Sequence, residues 1–209
     1  VNWRRLAARL ACGLALVPLP DLPSAVAGHE PIAGPLARVA GIPYLGGPVL
    51  HSNRTHAIFW EPAGSGLTFD PGYEGLVQRF LLDVAADSHS TQNEFALTGQ
   101  YSDADGPAAY ASRFAGAVID SDPLPHDGCV EPLLTGPGWT TCLTDAQLQD
   151  EITRVVAANA LPVTRRDIYF LLTPRGFGDC SDGTSTSCAL GGSDSGYCGY
   201  HSSTPGGIL

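Results

Sequence analysis

The thiols are the most reactive groups in this chain, and their spacing limits what they can do. Cys180, Cys188 and Cys198 fall in a Gly/Ser/Asp-rich stretch that closes with Tyr197-Cys198-Gly199-Tyr200-His201, while Cys129 and Cys142 flank a Pro/Gly loop. Thiols this close are normally disulfide partners in an exported chain, and the metal alternative needs them kept reduced. The spacing pairs Cys129 with Cys142, a closure that stabilises by about 3 kcal/mol on chain-entropy grounds. Cys198 is expected to pair with Cys180 or Cys188, and the sequence leaves that choice open. Of the six cysteines, Cys12 falls in the expected signal peptide and is lost with it; five remain, an odd number, so one thiol stays free or finds its partner beyond Leu209.

Imidazoles and carboxylates offer less. His51 and His56 are five residues apart, an odd offset that puts them on opposite faces of a strand, so they read as hydrogen-bonded side chains and not as co-ligands. His201 follows Cys198 in a segment that a disulfide would stiffen; with Tyr200 it is the candidate wall of a cleft. Gly192-Ser193-Asp194-Ser195-Gly196 resembles a serine-protease nucleophile loop, but an extra Ser splits it and no Ala-Ala-His-Cys segment precedes it. Asp120, Asp122 and Asp127 are hard oxygen ligands that suit calcium, without the alternate spacing and closing Glu of an EF-hand. His29-Glu30 runs into Pro31 and Pro35 and cannot head a metal-binding helix. There is no phosphate loop and no dinucleotide fingerprint. No catalytic residue and no metal ligand is assigned.

The elements that position these groups follow from pattern. Residues 1–27 read as a signal peptide, with Arg4, Arg5 and Arg9 before the apolar run Leu10 to Leu19 and Ala25-Val26-Ala27 as the cleavage site. The run is too short to span a bilayer. Removing this segment takes away three Arg and one Asp, leaving eight basic side chains against twenty acidic ones, a net of −12. That balance disfavours nucleic acid and anionic membrane surfaces as partners. Residues 28–48 carry four prolines and read as an extended Pro/Gly-rich leader. Thr55 to Trp60 is a buried strand; Asp70-Pro71 starts a helix whose apolar face is Leu76, Val77, Phe80, Leu81, Val84 and Ala85. Asn93 to Tyr101 and Ala108 to Ile119 are expected to hold two strands joined by a turn at Asp103 to Gly106. Thr144 and Gln147 form a capping box for a helix through Ile152, Val155 and Val156, and Ile168 to Leu172 reads as a central strand buried on both faces. Residues 49–209 are therefore a single α/β domain, a mixed sheet covered by helices with disulfide-stabilised loops.

Gly46-Gly47-Pro48-Val49-Leu50, Phe59-Trp60, Gln100-Tyr101, Cys142-Leu143-Thr144-Asp145-Ala146-Gln147, Asp167 to Pro174 and Cys198-Gly199-Tyr200-His201, in this order, resemble the EXORDIUM-like, phosphate-induced protein family, its bacterial branch above all. The resemblance implies a secreted or cell-wall protein. Members of that family continue past the Cys-Gly-aromatic-His element into a His-Glu-x-x-Glu segment similar to a zincin helix, where zinc would activate water. This chain has no such segment. The resemblance thus implies the amino-terminal scaffold of a metal-dependent hydrolase, incomplete at its carboxyl end, with zinc only in a full-length form and no catalytic residue to carry over. The alternative is a non-enzymatic extracellular or cell-envelope binding module, in which Trp60, Trp139 and Tyr200 meet glycans.

Overall fold

Three parallel strands form the centre of the domain, and the alternation of side chains along the middle one explains how both faces of the sheet are covered. In the computed structural model the described residues are 47–126, 128–129, 139–180, 187–189 and 195–208. They belong to the second of two compact units, Leu45–Leu209, so the expected signal peptide and nearly all of the expected leader lie outside the described residues. The elements run β1 (Asn53–Trp60), α1 (Tyr73–Ala86), a 3-10 helix (Glu94–Gln100), β2 (Ser102–Asp103), β3 (Gly106–Pro107), β4 (Ser112–Asp120), β5 (Thr141–Thr144), α2 (Asp145–Ala158), β6 (Asp167–Leu172), β7 (Phe177–Cys180), β8 (Ser187–Ala189) and β9 (Ser195–Tyr197). β1 lies between β4 and β6 and is parallel to both.

Alternation along β1 serves both faces of this sheet. Ile58 aligns with Val118 and Leu171 and packs under Val155 and Val156 of α2, with Tyr169 beside them. Ala57 and Phe59 face the other way, onto Leu81 and Val77 of α1. Each helix thus covers one face, giving the expected α/β class. Gly116 has φ 131° where the β1–β4 register slips between Thr55 and His56, a conformation that any side chain there would strain. A second sheet, β5-β7-β8-β9, mixes parallel and antiparallel pairs and holds Cys142, Cys180 and Cys188.

Several expectations are corrected. β6 is not central: it pairs with β1 alone among the described strands, and Phe170 is 42% exposed, because the crossovers give the middle place to β1. The 93–101 segment is a 3-10 helix and not a strand, whereas the strand expected within 108–119 forms as β4; the predicted turn joins the two-residue strands β2 and β3. Helix α1 starts two residues late; Gly72, at φ 85°, is its N-cap in place of Asp70. Its apolar stripe is only partly used, with Leu76 and Phe80 exposed. The Thr144/Gln147 capping box forms as expected.

Cys129 is bonded to Cys142, as the spacing predicted. Cys198 is not paired with Cys180 or Cys188; those two bond to each other and Cys198 is a free, exposed thiol. The strand register decides this. Cys180 lies directly opposite Cys188 in the β7–β8 pair, whereas Cys188 aligns with Gly196 on β9, two residues short of Cys198. The two disulfides touch, with Cys142 Sγ 3.7 Å from Cys180 Sγ.

Candidate functional site

The proposed cleft-wall residues Tyr200 and His201 line one concavity of about 430 Å³ between the first half of α2, β6, β7 and the segment 197–208. Three local features build it. The capping box starts α2 at Asp145, which places that carboxylate at the positive end of the helix. Gly178 on β7 lies against Trp139, whose ring a Cβ there would overlap. A turn in which Ile208 N–H donates to Thr204 Oγ1 at 3.1 Å, with Ile208 buried beside Tyr169, holds down the segment that carries His201.

Two carboxylates and two tyrosines face one another inside. Tyr200 donates to Asp145 Oδ1 at 2.7 Å, and Gln149 donates to Asp145 Oδ2 at 2.6 Å. Tyr197 donates to Asp179 Oδ2 at 2.7 Å, and its ring meets that of Tyr200 edge-on at 5.5 Å. Asp179 is only 8% exposed and its Oδ1 has no hydrogen-bond partner among the described residues. Burial pushes the Asp179 carboxyl above the ordinary range, and the charge of Asp145 adds to this against the hydrogen bond from Tyr197. Burial and the bond to Asp145 push the Tyr200 hydroxyl up as well. The wall is therefore rich in acceptors and aromatic surface. Asp145 and Asp179 were not singled out from sequence; the available signal was that Asp179 directly precedes Cys180, a disulfide partner, and so sits on a stiffened part of the chain.

The other candidates have structural employment. His56 is buried, stacks on Tyr169 at 4.5 Å and bonds Asp167 Oδ1 at 2.9 Å, while Arg54 and Thr164 take Asp167 Oδ2 at 2.8 and 2.6 Å. His51 bonds Asp103 and the Pro107 carbonyl at the surface. Trp60 is fully buried and donates to the Asp122 carbonyl, so it cannot meet a glycan. Asp120 and Asp122 are held at 2.7 Å each by Arg154, which also pairs with Glu151; a guanidinium stands where calcium was considered. Asp127 and Gly192 to Asp194 lie outside the described residues.

Among the described residues three groups bring possible ligand atoms within 4.8 Å: Cys129, Cys142 and Cys180; His51, Asp103 and Asp105; and Asp120, Asp122 and Glu151. His201, Asp145 and Asp179 are not such a group, so the cleft residues present do not fit zinc on their own. No described helix is long and apolar enough to cross a membrane. Comparison with protein families, curated proteins and solved structures finds no match to this chain.

Proposed function

We propose that this is a secreted EXORDIUM-like protein whose α/β domain binds a hydroxyl-bearing ligand, of the extracellular or cell-envelope glycan type, in the cleft of Trp139, Asp145, Asp179, Tyr197 and Tyr200. The observation that carries the reading is the buried Asp179 carboxyl, one of whose oxygens has no partner among the described residues, set among aromatic rings. Sugar faces stack on aromatic surface, and carboxylates accept hydroxyl hydrogens. The acidic composition is consistent with a neutral ligand in preference to an anionic one. Two disulfides support export.

The test is calorimetric titration of the protein with soluble cell-wall oligosaccharides. Trp139→Ala and Asp179→Asn are expected to weaken binding by about tenfold or more each, the worth of one aromatic face or one buried hydrogen bond. Equal affinity in both variants and the wild type would remove the cleft from the reading. The zincin-like hydrolase that the resemblance implies is the second reading, favoured by His201 on the cleft rim. Metal analysis of a form that contains a His-Glu-x-x-Glu segment tests it; a metal-free product of that form overturns it.

A further inference from the structure

Four of the eleven basic side chains of this acidic protein converge on one groove. The groove, of about 700 Å³, opens at the amino ends of β1, β4 and β6, and Arg54, Arg113, Arg165 and Arg166 line it with Ser52 and His89; no carboxylate does. Arg54 and Arg113 stand directly opposite each other in the β1–β4 register, a like-charge cross-strand pair that opposes folding. Arg54 is compensated by Asp167, yet its Nε is buried without a partner among the described residues. Arg113, Arg165 and Arg166 have no ion-pair partner among the described residues. His89, on the same rim, holds a left-handed backbone at φ 68°, tied down by its N–H to the Tyr110 carbonyl at 2.7 Å. Backbone strain of this kind in a non-glycine residue gathers at ligand sites.

We propose that this groove is an oxyanion site, which takes a phosphate or sulfate group carried on a small molecule between Arg54, Arg113 and the Arg165-Arg166 pair. Guanidinium forks match the oxygen edges of these groups by paired hydrogen bonds, and several forks around one concavity suit a tetrahedral anion with more than one face to offer. The anion would relieve the repulsion between Arg54 and Arg113 that the apo fold sustains. The groove is larger than a bare ion, which leaves room for the rest of the molecule. The site is separate from the cleft and does not depend on the glycan reading.

The whole chain is titrated with inorganic phosphate and, in a second arm, inorganic sulfate, at low ionic strength, by calorimetry and by chemical shift. Saturable binding of one ion per chain is expected, weakened about tenfold by Arg113→Gln and again by Arg166→Gln, and unchanged by Arg79→Gln on α1. All three side chains are exposed, so circular dichroism of each variant should match the wild type. The stronger arm tells phosphate from sulfate. An absence of saturable binding in both arms, or equal losses in Arg79→Gln and the groove variants, overturns the proposal.

Discussion

Glu151 is a carboxyl whose ionisation is at odds with its surroundings. Burial first, and then Asp120, raise its carboxyl to about 7 against the pull of Arg154. In the unfolded chain a Glu carboxyl titrates near about 4.3. Between those values the fold retains a proton that the unfolded chain releases, so Glu151 makes stability fall as pH rises through that window and adds no further change above about 7. Glu151→Gln keeps the neutral form at every pH. It is expected to remove about 1–2 kcal/mol of that decline, read from urea unfolding at about pH 5 and about pH 8; parallel wild-type and variant profiles would refute the assignment. None of this was legible in the sequence, where Glu151 is one charged position on a helix. Its burial comes from α2 packing that puts it against Asp120 at the end of a strand about thirty residues earlier. His56 is the opposite case. Its expected role as a hydrogen-bonded side chain on β1 is what the structure shows, because a strand rich in β-branched and aromatic residues leaves a histidine few other places.

Helices carry a local code that sequence reads well at their starts and poorly along their faces. The capping box of α2 forms because Thr144 and Gln147 satisfy backbone donors within one turn, whatever packs outside. In α1 the period puts Leu76, Val77, Phe80 and Leu81 on one stripe, but only contact with β1 decides which of them leaves water. Leu81 is 6% exposed against β1, and Leu76 is 72% exposed. Leu81→Ala is therefore expected to cost about 2–5 kcal/mol, whereas Leu76→Ala should stay within about 0.5 kcal/mol. Chemical denaturation of the two variants separates them, and equal losses would mean that another part of the chain covers the stripe evenly. Strand order shows the same limit. The unbroken apolar run of β6 suggested a central position, yet the chain crosses from β1 to β4 and then back past β1 to β6, which puts β6 at the edge of the described strands and which no feature within the run encodes.

At the scale of the molecule, the cysteines test the second sheet most directly. Peptide mapping under non-reducing conditions is expected to give Cys129 joined to Cys142, Cys180 joined to Cys188, and Cys198 alkylated by iodoacetamide without prior reduction. A peptide linking Cys198 to either neighbour would contradict the β7–β8 register. Charge is also distributed at this scale. A net of −10 describes the chain as a whole, while the amino edge of the central sheet gathers four arginines from three separate segments. The sequence by itself determined the α/β class, the Cys129–Cys142 pair, the start of α2 and the buried first strand. Each of these rests on interactions between residues near in the chain or on a short periodic pattern, and such interactions are written locally. Tertiary structure alone decided the partner of Cys180, the edge position of β6, the carboxyl–tyrosine cleft and the arginine groove. Those depend on which segments become neighbours after the crossovers close, and a strand register or a burial cost exists only once they have.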